Sequence, residues 1–181
     1  MLKQFRGLKE HGYFGIYRGE VVDNKDPSRS GRCKIKVYGI YDGVAKQDLP
    51  WADPCFPIGG SKGYGSVYIP VIGSKVFVVF EAGEIFSPVY LGASPLEGDI
   101  PEEIDVPNKY LIIKTKSGAQ ILVSDAENEG IKLETSGGLL FELDDICGRI
   151  RLRDKAGSFI ELAGGDIIIQ AKRKLHLNPG S

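Results

Sequence analysis

Residues 132 to 162 read KLETSGGLLFELDDICGRIRLRDKAGSFIEL, with apolar and polar side chains alternating over short runs. A period of two predicts β-strands, and the small-residue-plus-glycine pairs that interrupt them predict tight turns. The pairs Ser117-Gly118, Ser136-Gly137 and Ala156-Gly157 recur at intervals of 19 and 20 residues. Three residues past each glycine stands an apolar side chain, Ile121, Leu140 or Ile160, and a second short strand follows in each copy: IKL, IRL and III. Each unit is therefore strand, turn, strand, turn. Such units cannot bury a face alone and must stack, which predicts a β-solenoid or prism over residues 110–181.

The N-terminal half alternates less regularly. YFGIYRGEVV (13–22) and RCKIKVY (32–38) read as strands joined by a loose loop containing Asp26-Pro27 and Gly31. LPWADPCFPI, a glycine-rich GGSKGYGSVYIP, VIGSKVFVVFEAGE and SPVYLGA follow. About five short strands with no convincing helix predict a small closed barrel of the OB type over residues 1–93, including an N-terminal arm. Residues 94–109, SPLEGDIPEEIDVPNK, combine prolines and acids without a strand pattern and read as a linker. The fold class expected is all-β: an OB-fold barrel followed by an intertwined trimeric β-helix or β-prism.

The trimer follows from the stalk's pattern. Ile131, Leu133, Phe141, Leu143, Ile150, Leu152, Ile160 and Leu162 form one apolar column, while Lys132, Glu134, Glu142, Arg149, Arg151, Arg153 and Glu161 take the opposite face. Leaving eight such side chains half wet would forfeit on the order of 8 kcal/mol at about 25 cal/mol per Å², comparable to a domain's whole stability. Three copies around an axis turn each column into one wall of a shared dry centre and give edge strands partners.

Composition narrows the function further. A formal charge of -1 gives no general attraction to nucleic acid or anionic lipid. Cys33, Cys55 and Cys147 are odd in number and widely spaced, which argues against disulfides and zinc and predicts three buried thiols in a reducing compartment. No apolar run is long enough to span a membrane, and MLKQFRGLKEHG lacks a signal-peptide core, so synthesis and folding in cytoplasm are expected.

In order along the barrel stand Asp26-Pro27, Gly31-Arg32-Cys33-Lys34-Ile35-Lys36-Val37, Leu49-Pro50-Trp51-Ala52, Tyr68-Ile69-Pro70 with Gly73-Ser74 and Val76, and Pro88-Val89-Tyr90-Leu91-Gly92. This series resembles the OB domain of phage contractile-tail spike proteins and the related VgrG spikes of type VI secretion, and a repeat stalk directly after it is similar to the same family. The resemblance implies a homotrimeric structural spike in the tail baseplate of a virion, made in the host cytoplasm. Its OB end would dock on a hub protein, with Trp51, Tyr64 and Tyr38 as hub-facing candidates, and its β-helix would contact the host outer membrane transiently while piercing it. A PAAR-type tip protein is a possible further partner. The chain departs from the family pattern in lacking room for a lysozyme-like domain between barrel and stalk, and in offering His176 alone where some short spikes end in a His-x-His iron site.

Other chemistry is weaker. His176 is a low-probability axial metal ligand, because lone strand histidines are usually solvated or packed. Asp125, Asp144 and Asp145 lack the pattern of calcium-binding solenoids and read as turn residues. GGSKGYGS has neither phosphate-loop spacing. With two histidines and no nucleophile-base pair, no catalytic residues, no cofactor and no enzymatic activity are expected. Two alternatives stay open: the spike of a tailocin or type VI-like secretion system, and an OB module holding single-stranded nucleic acid through Lys34, Lys36, Tyr38, Tyr41 and Trp51. The second is disfavoured, since the chain's acids offset its bases, and no nucleic-acid partner is expected.

Overall fold

A computed structural model describes residues 12–104, 109–124 and 130–177. The chain divides into two compact units, residues 1–99 and 100–181.

The first unit is a closed five-stranded barrel. Its strands are β1 (Tyr17–Asp23), β2 (Cys33–Val37), β3 (Trp51–Pro54), β4 (Lys75–Phe80) and β5 (Pro88–Ala93). They close in the order β1-β2-β3-β5-β4, with β3 and β5 parallel and the other pairs antiparallel. Alternation sends Cys33, Ile35 and Val37 of β2, and Val76, Val78 and Phe80 of β4, into one core with Val21, Tyr41, Leu49, Ala52 and Tyr90. Buried hydroxyls find acceptors there: Tyr90 donates to the Gly31 carbonyl at 2.7 Å and Tyr41 to the Ile85 carbonyl. Burial pushes the Tyr41 hydroxyl up to about 12 and the Cys33 thiol up to about 11.

The β1–β2 loop is locked by one carboxylate. Asp26 accepts the backbone N–H groups of Ser28 and Ser30 at 3.0 and 2.8 Å and pairs with the Arg32 guanidinium at 2.7 Å, its side chain only 3% exposed. The Arg32 guanidinium, reinforced by those N–H donors, holds the Asp26 carboxyl well below the usual carboxylate range. The glycine-rich stretch between β3 and β4 is a loop bearing a single Ser61–Tyr64 bridge.

The second unit is a seven-stranded sheet: β6 (Lys109–Lys114), β7 (Gln120–Ser124), β8 (Ile131–Glu134), β9 (Leu140–Asp144), β10 (Arg149–Arg153), β11 (Phe159–Ala163) and β12 (Asp166–Gln170). Every neighbour is the next strand in sequence and every pair is antiparallel, so within one chain the repeats form a meander rather than a coil. The linker expected at 94–109 is partly claimed by the units: Ser94 N–H bonds the Lys75 carbonyl, Glu103 pairs with Lys114, and β6 opens at Lys109.

The turns refine the repeat. Thr115, Thr135 and Asp154 each cap a turn, their side chains accepting the backbone N–H of Ala119, Leu139 and Ser158 at 3.0, 3.1 and 2.7 Å. The left-handed position in each turn is Gly118, Gly138 or Gly157, at φ +95°, +85° and +88°. The second copy is thus offset by one from the Ser136-Gly137 pairing expected from sequence. Phe141, not Leu140, is the counterpart of Ile121 and Ile160, and Leu140 sits on the charged face opposite Glu134 and Arg153. A second correction concerns the thiols. Only Cys33 is buried; Cys55 follows β3 into its outgoing loop and Cys147 lies in the β9–β10 turn, both exposed because neither occupies an inward strand position.

Candidate functional site

Because paired residues share a face, the register of the meander draws two continuous apolar rows on one side of the second sheet. One runs Tyr110, Val123, Ile131, Leu143, Ile150, Leu162, Ile167; the other runs Ile113, Ile121, Leu133, Phe141, Leu152, Ile160, Ile169. All eight residues of the expected trimer core lie on these rows. The sheet also brings in Tyr110, Ile113, Ile121, Val123, Ile167 and Ile169, which the shorter column omitted. The III run signalled the last two: once β12 pairs with β11, its first and third isoleucines must share the face of Leu162 and Ile160.

Among the described residues of this unit, much of both rows is left open. Ile131 is 37% exposed and Leu152 49%, although both point to the apolar side. The second row lines an open trough of about 850 Å³, bordered at one end by Lys174 and Leu175.

The opposite face covers itself. Lys132, Glu142, Arg151 and Glu161 stand directly across from one another on successive strands, alternating in sign. Arg149 reaches Glu142 at 2.9 Å and Asp144 at 3.2 Å, and the Arg151 Nε donates to Glu161 at 2.7 Å. The Cys147 N–H, at 2.9 Å, and the neighbouring Arg149 charge keep the Asp144 carboxyl below its ordinary range. Glu142 and Asp144 end up under a tenth exposed or at that limit, more covered than the isoleucines behind them. Charged stems lying flat along a sheet hide its backbone and keep their heads wet. The apolar face is therefore the unsatisfied one.

The hub-facing candidates have separate surroundings. Trp51 is half-buried under the Arg32 guanidinium and the Lys34 ammonium, 5.8 and 5.3 Å from its ring centre. The Lys34 Nζ is itself held by the carbonyls of Lys46 and Gln47 at 3.2 and 2.5 Å. Tyr38 is exposed and donates to Glu20 at 3.5 Å, beside the Glu20–Lys75 pair. Tyr64 is fully outward in the β3–β4 loop, in the company of exposed Ile58, Val67, Tyr68, Ile69 and Ile72. Sequence reading singled out Tyr64 but missed this apolar neighbourhood, which no periodicity marks.

Among the residues suggested for nucleic acid, Tyr41 is buried and Trp51 and Lys34 are already engaged with one another. His176 is exposed, and among the described residues no group of three His, Cys, Asp or Glu side chains is arranged to hold a metal. Asp144 binds Arg149 and the Cys147 N–H, Asp145 is exposed in the turn, and Asp125 lies outside the described residues. No helix of the described residues is long and apolar enough to cross a membrane.

Residues 17–94 match the family described as the type VI secretion system/phage-baseplate injector OB domain. The match opens on the first residue of β1 and closes one residue past β5, so it covers the barrel and stops before the sheet. No curated protein matches the chain. The barrel is thus akin to the OB domains of contractile injectors, which supports a structural role of the baseplate or spike type.

Proposed function

We propose that the chain is the central spike of a contractile injection machine, in the first place a phage baseplate. Three copies pack their C-terminal sheets, apolar faces inward, into an intertwined β-prism. The observation that carries this reading is the exposed double row of apolar side chains on a sheet whose other face pairs its central charges, Lys132, Glu142, Arg149, Arg151 and Glu161. With seven strands about 4.8 Å apart, the prism is roughly 30 Å long. Its stiffness comes from stacked strands around a dry axis. The outward ion pairs set register and solubility, since exposed pairs contribute little energy each.

The barrel docks on a hub through its exposed apolar loop around Tyr64 and Tyr68, with Tyr38 and Trp51 on further surfaces. On contraction the prism is pushed through the host outer membrane, with a PAAR-type protein as its cap. The function is mechanical, with no catalytic step and no cofactor. A secretion-system or tailocin spike would share all these features and differ only in its neighbours.

Small-angle X-ray scattering of the full chain, together with titration of single-stranded DNA at low salt, tests the proposal. An elongated trimeric particle without salt-dependent DNA affinity is expected. A compact particle of one chain that binds DNA more weakly as salt rises would instead establish the nucleic-acid module.

A further inference from the structure

The barrel has an apolar outer face over β4 and β5. Val76, Val78, Phe80 and Tyr90 point inward, so alternation turns Phe77 and Val79 of β4 and Val89 and Leu91 of β5 outward as neighbours. Ile16, just before β1, joins them, and Ile16, Phe77 and Leu91 line a depression of about 200 Å³. Ile16 and Leu91 are exposed, as are Phe14 and Phe86 toward the β4–β5 turn. Two acids of that turn, Glu81 and Glu84, are exposed as well. Apolar side chains scattered singly over a surface are ordinary, whereas a contiguous group rimmed by charge marks a docking surface.

The chain enters the barrel at this same place. The Tyr13 N–H donates to the Gly83 carbonyl at 3.0 Å, and the Phe14 ring lies over Gly83, 2.8 Å from where a Cβ there would stand. Residues 1–11, which lie outside the described residues, read Met1-Leu2-Lys3, Gln4-Phe5-Arg6, Gly7-Leu8-Lys9 and Glu10-His11. Each of the three triplets sets an apolar residue directly before a base. A chain of that length can reach roughly 35 Å, against about 20 Å for the six residues of β4, so the whole outer face is within range of the tether.

We infer that residues 1–11 dock back on the outer face of their own barrel, Leu2, Phe5 and Leu8 covering the patch of Ile16, Phe77, Phe86 and Leu91 while Lys3, Arg6 and Lys9 face Glu81 and Glu84. Apolar groups meet apolar groups and bases meet acids, the complementarity that fixes register on a surface. The tether favours this occupant, because a segment joined to the surface it binds acts at an effective concentration near millimolar and weak contacts suffice. A second copy fits less well: a folded partner needs about 800 Å² on each side, and a 200 Å³ depression suits single side chains. The inference is independent of the trimeric spike, since every group in it belongs to the barrel unit of one chain.

The test introduces the photo-crosslinking residue p-benzoylphenylalanine in place of Phe5 in the full chain and maps the products by mass spectrometry. Cross-links within one chain to Ile16, Phe77, Phe86 or Leu91 are expected. Ile16→Ser with Leu91→Ser should cut their yield at least fivefold, and Glu81→Gln with Glu84→Gln about twofold at low salt. Val67→Ser, on the β3–β4 loop, should leave the yield unchanged. Circular dichroism checks that each variant keeps its fold, and the map from the otherwise native barrel decides without them. Cross-links that fall on other surfaces, that join two chains, that persist in the Ile16→Ser, Leu91→Ser variant, or that do not form at all overturn the inference.

Discussion

In the barrel, Val21, Ile35, Val37 and Val78 are at most 1% exposed; on the second sheet, Ile150, Leu152, Ile160 and Leu162 remain 41–49% exposed. Both sets come from short alternating strands, of five to seven residues in the barrel and five in the sheet. What differs is closure. Five barrel strands curl until β4 meets β1, so inward side chains meet each other and no edge is left. Seven strands in a meander never return to their start, so β6 and β12 are free edges and one face has no lid. The comparison teaches that the two units differ in how they bury apolar side chains: the barrel carries its own core, and the described sheet leaves one apolar face exposed, which the proposed trimer would cover.

The largest expected effect breaks the comparison on the sheet side. Leu143→Asp or Ile150→Asp places a charge in the middle of a row that, in the assembled prism, is dry, and each should abolish trimerisation while leaving the barrel folded. Size-exclusion chromatography with light scattering reads this, and an unchanged trimer would show that the rows are not the interface. On the barrel side, Ile35→Ala should cost about 2–5 kcal/mol of barrel stability in denaturant titration, with assembly through the sheet preserved. A mutation that lowered both together would mean that the units do not stand independently.

A smaller effect separates the two by pH. The folded Asp26 carboxyl ionises at lower pH than it does unfolded, so its contribution to the barrel is complete above about pH 4 and is lost as pH falls toward its folded pKa. Asp26→Asn should therefore lower the barrel's melting temperature by several degrees at pH 7 and flatten its decline in acid, measured by circular dichroism. A variant whose acid profile matches the native one would contradict the assignment. Smallest of all, Arg151→Ala should change stability by less than about 1 kcal/mol, despite the pairing with Glu161 and the stacking of its guanidinium 5.0 Å from the Phe159 ring centre.

How far these features could be read from the chain depended on whether local patterning alone determines them. The stalk strands were legible because alternation at Phe141–Leu143 or Ile150–Leu152 survives without tertiary information. The exact turn position was not, since Ser136-Gly137-Gly138 offers two glycines and only the cap from Thr135 to Leu139 selects the second. The width of the apolar face was hidden for a related reason: Ile168 looks no different from Ile167 until pairing with Glu161 assigns it to the charged side. Cys55 and Cys147 were misjudged because a thiol's usual preference for the interior says nothing about a residue just past a strand end. The barrel's ordered motifs pointed to its family, while the exposed loop around Tyr64 follows no period and became visible only in three dimensions.

The central claim is that the sheet's apolar rows are covered by sister copies. The mass of the unmodified chain in solution, followed by light scattering over a dilution series, tests it most directly. The account predicts a particle of three times 19.7 kDa that persists on dilution. A stable, monodisperse particle of 19.7 kDa with a cooperatively folded C-terminal half would contradict it.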